Sequence, residues 1–156
     1  CISILAYTGA RRGAASKLRW SDVDFEKNLL KLHEKGKKVR EIPMPQELAE
    51  RLRTYGQEVD PDDYVIPMGH RGKIGERDDA VIYDIVRDVA KRARVKAHPH
   101  ALRRGFTLHV LEEKGGNALI GLQHTLGHER LETTTLYYRR LNKMREMEKA
   151  VGDLTW

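Results

Sequence analysis

The chain has 156 residues, of which 40% are hydrophobic and 33% charged, so it can bury one core of ordinary size and we expect one compact domain over residues 1–156. Its 29 Lys and Arg outnumber 23 Asp and Glu, and the net charge of +6 favours a polyanionic partner. A disulfide-stapled domain is excluded because Cys1 is the only cysteine, and a membrane-spanning one because no apolar run approaches the ~20 residues that a bilayer requires.

The first third of the chain is predicted to hold two short helices and a β-hairpin. The stretch "CISILAYTG" predicts a buried helix that ends at Gly9, and "RRGAASKL" predicts a second helical stretch that leads to Arg19 and Trp20. "SDVDF" then breaks the helical pattern. Two β runs follow, Leu29 to His33 and Val39 to Pro43, and a Gly-containing turn with a basic tip joins them.

The rest of the chain is predicted to be mostly helical. Pro45 begins a helix whose Leu48, Leu52 and Tyr55 share one face, and residues 59–75 form a long loop with room for one strand. Four helical segments follow. Three are predicted from apolar residues at helical spacing: Ile82, Ile85, Val86 and Val89; Leu102, Phe106 and Val110 after Pro99; and Met144, Met147 and Val151. The other begins at Asn117 and ends at Gly127. We therefore predict an α+β fold that is mainly α, with one small antiparallel sheet near its N-terminal side.

The positive charge is concentrated in one stretch. From Lys91 to His109 the sequence has six Lys or Arg and three His but no Asp or Glu, which predicts a coherent positive field, although a solvated helix face without a ligand gives the same run. His100 and Arg103 lie three residues apart, on one face of a helix that starts near Pro99. An arginine fork bonds two phosphate oxygens and an imidazole adds a bond or moves a proton, so this pair suits a phosphate.

Four groups elsewhere in the chain complement this pair. Arg11 follows "TG" at a helix break, Lys35 lies at the hairpin tip, His128 follows a Gly that ends a helix, and Tyr137 comes nine residues after that His. Each alone is explained as a solvated cation, a structural histidine or a packing tyrosine. Together they fit phosphoryl transfer, because cations that stabilise a phenolate and a phosphorane make attack by a tyrosine feasible without a metal.

Four segments, in order, resemble the catalytic domain of the tyrosine recombinases, the phage integrase family. "TGARRGAASKLRWSDVD" is similar to the family's first box T-G-L-R-x-x-E-L-x-x-L-x-W-x-D-I-D, and "EKGKKVREIPMP" to its hairpin K-G-x-K-x-R-x-V-P. "HPHALRRGF" is similar to H-x-L-R-H-T-F, and "LGHERLETTTLYYRR" to L-G-H-x-x-x-x-T-T-x-x-Y. Two positions depart from the pattern. Ala14 replaces an acidic residue that usually braces the arginine, which predicts a looser Arg11, and Arg104 replaces a histidine.

The resemblance implies a reaction and its participants. Tyr137 would attack a scissile phosphate in double-stranded DNA to give a 3′-phosphotyrosyl link, with no metal, ATP or other cofactor. Lys35 would protonate the departing 5′-oxygen, and His100 would assist proton movement at the attacking tyrosine. Three groups would stabilise the transition state: Arg11, Arg103 and His128.

The resemblance also implies partners and a location. The family acts as a homo-tetramer on DNA, and we expect the same of this protein. Without DNA, we expect this fragment to be a monomer or a dimer. The C-terminal helix either docks on a neighbouring protomer or packs on its own domain. The chain starts without Met in the middle of an apolar pattern, so we expect an N-terminal domain to precede it, in a protein of the cytoplasm associated with DNA. We assign contacts with the DNA backbone to Lys37, Lys38, Arg40 and Arg104.

Three other interpretations stay open at this point. One is a non-catalytic DNA-binding module of the same fold, for which Ala14 is the only hint, and another is a topoisomerase of type IB, which uses similar chemistry. The third is a metal enzyme whose candidate ligands are His98, His100, His124 and His128. It is disfavoured because Gly127 breaks the helical face that His124 and His128 would share.

Overall fold

The computed structural model describes residues 1–67, 79–127 and 131–152, and the backbone alone at 131–134, 137 and 148–152. The chain divides into two compact units, Cys1–Arg103 and Arg104–Trp156. Seven α-helices and three strands are described: α1 (Ile2–Thr8), α2 (Arg12–Lys17), β1 (Val23–Asp24), β2 (Leu29–His33), β3 (Val39–Pro43), α3 (Gln46–Tyr55), α4 (Ala80–Arg92), α5 (Pro99–Lys114), α6 (Leu119–Leu126) and α7 (Leu131–Gly152). Two 3₁₀ turns, Trp20–Asp22 and Gly115–Ala118, complete this description. The predicted fold class, mainly α with a small antiparallel sheet, is confirmed.

The sheet of the first unit has the order β1-β2-β3, and both pairings are antiparallel. Leu30 faces Ile42 across the hairpin, and Leu32 faces Arg40. Leu30 and Leu32 point inward because alternate side chains of a strand lie on the same face. The bounds predicted for β2 and β3 are confirmed, whereas β1 was not predicted, because a strand of two residues has no readable alternation.

The core of the first unit lies between the sheet and the helices. Leu5 of α1, Leu18 after α2 and Leu48 of α3 are fully buried with the inner residues of the sheet, and Ile82 and Val86 of α4 complete the cluster. α2 packs directly against β2. This packing brings the start of α2, next to Arg11, close to the hairpin whose turn carries Lys35.

The second unit has a smaller core, formed by Leu111, Leu122 and Leu126. Gly127 ends α6 in the left-handed conformation at φ 61°, as predicted, and its N–H donates to the carbonyl of His124. The helix predicted to open at Asn117 begins two residues later, since residues 115–118 form a 3₁₀ turn.

Tyr138 of α7 is a packing residue of this second unit. Its side chain packs against the second core, and a Cβ added at Gly116 would lie 3.0 Å from its hydroxyl oxygen and 3.1 Å from Cζ. A Cβ at this position would therefore be in tight contact with the ring, and the glycine relieves that contact. In the part of the chain that the structure describes, none of the helices combines the length and apolarity needed to cross a membrane.

Candidate active site

The turn that carries Arg11 is fixed by its own hydrogen bonds. Gly9 ends α1 in the left-handed conformation at φ 61°, which L side chains adopt only with strain. The buried Thr8 hydroxyl donates to the carbonyl of Ile4 at 2.5 Å and accepts the N–H of Ala10 at 3.1 Å. Arg11 follows as the N-cap residue of α2, so its backbone is held at a defined position.

Removing that hydroxyl is expected to destabilise the first unit. Thr8→Val keeps the shape of the side chain but leaves the buried N–H of Ala10 without its acceptor, which should lower the free energy of unfolding by about 1–3 kcal/mol. Urea unfolding followed by circular dichroism measures this difference. Thr54→Val is the matched control, because the Thr54 hydroxyl makes the same bond to a carbonyl four residues earlier but is exposed. Equal losses in both variants would contradict the role given to Thr8.

Arg103 reaches the same turn from α5. Its side chain is buried, with 8% of the residue exposed, and Nη1 donates to the carbonyl of Gly9 at 2.6 Å, across 94 positions of sequence. Burial of a guanidinium is unfavourable unless it is hydrogen-bonded, so this contact fixes the side chain in place. The structure therefore brings Arg103 to the turn at Gly9, which directly precedes Arg11.

Arg11 has a carboxylate partner that the sequence analysis missed. Glu34, the residue that follows β2, accepts from Arg11 Nη1 through Oε2 at 2.8 Å and from Arg40 Nη2 through Oε1 at 2.6 Å. Ala14, which was expected to leave Arg11 loosely held, is buried in the core of the unit. The bracing is supplied instead from the hairpin, 23 residues along the chain, and only the packing of α2 on β2 could have indicated it.

Arg40 is placed differently from the other basic residues assigned to DNA. Its side chain is 14% exposed and bound to Glu34, whereas Lys37, Lys38 and Arg104 are exposed. Burial lowers the pKa of Arg40, and the negative charge of Glu34 opposes that shift. This placement favours a role for Arg40 in holding Glu34.

The other predicted site residues of the first unit lie near the surface. Lys35 is exposed in the turn between β2 and β3, which the bond from the N–H of Glu34 to the carbonyl of Lys38 closes at 2.8 Å. His100 is exposed in the first turn of α5, and its ring centroid lies 6.4 Å from that of His98. Among the residues that the structure describes, no three His, Cys, Asp or Glu side chains are grouped as metal ligands.

The two remaining predicted residues belong to the second unit. His128 lies outside the described residues, and Tyr137 lies on α7, where the structure describes its backbone only. The neighbouring Tyr138 packs against the second core and Gly116. Of the two adjacent tyrosines, Tyr138 therefore has a structural role, and the choice of Tyr137 as nucleophile stays a prediction based on the spacing from His128.

Comparison with known proteins gives matches to one family. A model of the phage integrase family matches residues 1–145. The tyrosine recombinase XerA of Thermococcus onnurineus is 31% identical over 160 residues, which cover 98% of this chain and 56% of that protein. The tyrosine recombinase XerC of Xanthomonas axonopodis pv. citri is 32% identical over 139 residues, which cover 87% of this chain and 44% of that protein. This chain thus spans about half the length of the curated relatives it matches.

Solved structures share the fold. The crystal structure of XerA recombinase matches with a TM-score of 0.75 at 29% identity, covering 99% of this chain and 57% of that chain. A second match is a crystal structure of the XerH site-specific recombinase bound to a palindromic difH substrate, a post-cleavage complex. Its TM-score is 0.74 at 22% identity, and the match covers 97% of this chain and 44% of that chain. The fold of this chain is therefore one that recombinases also adopt.

Proposed function

The chain belongs to the phage integrase family, and from that premise we propose that residues 1–156 are the catalytic domain of a tyrosine-type site-specific recombinase or integrase. The protein breaks and rejoins double-stranded DNA through a 3′-phosphotyrosyl intermediate. The observation that carries this proposal is the bond from Arg103 to the carbonyl of Gly9, because it brings the second phosphate-binding arginine to the turn that holds the first. Relatives named tyrosine recombinase support it.

The chemistry follows from the groups that the chain supplies. The phenol oxygen of Tyr137 bonds to phosphorus and releases its proton with the help of His100, while the bond from phosphorus to the 5′-oxygen breaks and Lys35 gives that oxygen a proton. Negative charge builds up on the non-bridging oxygens, and the groups that stabilise it are Arg11, Arg103 and His128. A 5′-hydroxyl of another strand then attacks the phosphotyrosine, so the energy of the bond is kept and no ATP or other cofactor is needed.

The partner is double-stranded DNA. The net charge of +6 and the exposed lysines of the hairpin tip, Lys35 and Lys37, suit a phosphate backbone, and such contacts position the protein without reading sequence. Exchange between two duplexes requires four active sites, so we propose a homo-tetramer on DNA, in the cytoplasm where the DNA lies. Met144 and Met147 on α7 are 61% and 58% exposed, which suits docking of this helix on a neighbouring protomer.

The experiment that tests this function uses the intact protein and a nicked suicide substrate. Cleavage near the nick releases a short strand that diffuses away, so the covalent protein–DNA adduct accumulates and is measured on a denaturing gel. We expect an adduct without added metal and, with two complete sites, exchange of strands between them. Tight binding of DNA without any adduct would contradict the proposal and favour a non-catalytic module. Relaxation of supercoils without strand exchange would favour a topoisomerase.

A further inference from the structure

We propose that Glu34 is a positioning residue for DNA cleavage, which holds the guanidinium of Arg11 in the orientation that the scissile phosphate requires. The inference rests on the function proposed above. The Arg11 side chain is 43% exposed and that of Glu34 only 13% exposed. A long side chain at the surface loses conformational freedom when it binds a phosphate, and the contact from Nη1 to Oε2 removes part of that freedom beforehand.

Glu34 is itself held from its other side. Its second oxygen accepts from Arg40 Nη2 at 2.6 Å, and the side chains of this pair are both largely buried. Ion pairs shielded from solvent are less weakened by salt than exposed ones. Arg40 therefore fixes the carboxylate, and the carboxylate fixes Arg11, in a chain of contacts that starts in the sheet and ends at the site.

A carboxylate beside a phosphate-binding arginine has two opposite effects. Its negative charge weakens the attraction of DNA to the site, while its hydrogen bond fixes the plane of the guanidinium. An arginine has five N–H donors, so a contact at Nη1 leaves the rest of the fork to bond phosphate oxygens. The removal of Glu34 should therefore slow cleavage without weakening the binding of DNA, a separation that general unfolding does not produce.

The test is Glu34→Gln in the intact protein, with Glu41→Gln as the matched control. Glu41 lies on β3 of the same hairpin with its side chain exposed, so its replacement removes the same charge away from Arg11. Single-turnover adduct formation at saturating suicide substrate gives the cleavage rate, and fluorescence anisotropy in a Tyr137→Phe background gives the dissociation constant. For Glu34→Gln we expect a rate about 10- to 100-fold lower than wild type, with equal or tighter DNA binding.

A second substrate shows whether Glu34 acts through Arg11 or through Lys35, the next residue in the chain. Sulfur in place of the bridging 5′-oxygen leaves without a proton, so this substrate should restore cleavage by Lys35→Ala. The loss in Glu34→Gln should persist with the sulfur substrate, because charge at the non-bridging oxygens still needs Arg11.

Each outcome bears on the proposal. Restoration of Glu34→Gln by sulfur, a wild-type rate for this variant, or a loss equal to that of Glu41→Gln would each overturn it. Thermal melting shows whether Glu34→Gln is folded. If it is not, Glu34→Asp is the second variant, because it keeps the charge but shortens the side chain. A wild-type cleavage rate for Glu34→Asp would also overturn the proposal. If the wild-type protein itself forms no adduct, the proposed function fails, which is a distinct result.

Discussion

Replacing Tyr137 with phenylalanine is expected to abolish covalent attachment of the protein to DNA. Phenylalanine lacks the oxygen that bonds to phosphorus, and removal of a nucleophile typically lowers the rate of the chemical step by at least about 10⁴-fold. The ring stays, so folding and DNA affinity should be retained. A denaturing gel of the suicide-substrate reaction measures the adduct, and anisotropy measures the affinity.

Tyr138→Phe is the matched control for this result. Its ring packs on the second core and over Gly116, and the variant keeps that ring, so adduct formation should continue near the wild-type rate. The reverse pattern, with an adduct in Tyr137→Phe and none in Tyr138→Phe, would show that the spacing from His128 selects the wrong tyrosine.

The second large effect is expected for Arg103→Lys. Lysine keeps the positive charge but is a point donor, so it cannot bond the carbonyl of Gly9 and a phosphate with one planar group. The loss of a donor aimed at the transition state typically lowers the rate by about 10²–10³-fold. Because the charge is kept, the salt dependence of DNA affinity should stay unchanged.

Single-turnover adduct formation measures this loss, with Arg87→Lys on the exposed surface of α4 as control. The control makes the same chemical change at a guanidinium that is paired with Asp84 and Asp88 of its own helix, and it should cleave at the wild-type rate. A rate for Arg103→Lys within the range of this control would contradict the role of the planar fork. Thermal melting of both variants separates loss of the site from loss of the fold.

The elements that sequence predicts well are those whose pattern is local. β2 and β3 were predicted to the residue, because Leu30 and Leu32 alternate with polar neighbours and a glycine marks the turn. Gly9 and Gly127 were predicted as helix ends, because the left-handed conformation at each, φ 61°, favours glycine. β1 was missed because its two residues become a strand only through pairing with β2.

The candidate site shows the same limit. Motifs identify Arg11 and Arg103, but neither motif contains the bond that joins Arg103 to the turn before Arg11. Ala14 predicted a loose Arg11, since the sequence shows only that an acidic residue is missing there. Glu34 pairs with Arg11 from a distant segment, and a glutamate in a basic hairpin has no local feature that indicates its partner.

The bond between Arg103 and Gly9 also has a consequence for synthesis of the protein. A nascent chain that has left the ribosome only as far as α4 already contains Arg11 and Lys35. It lacks Arg103, whose guanidinium donates to the carbonyl of Gly9. The proposed nucleophile is translated later still. In the proposed mechanism, a polypeptide that ends before α7 would thus carry the basic hairpin without the nucleophile, so cleavage of DNA requires that α7 has been synthesised.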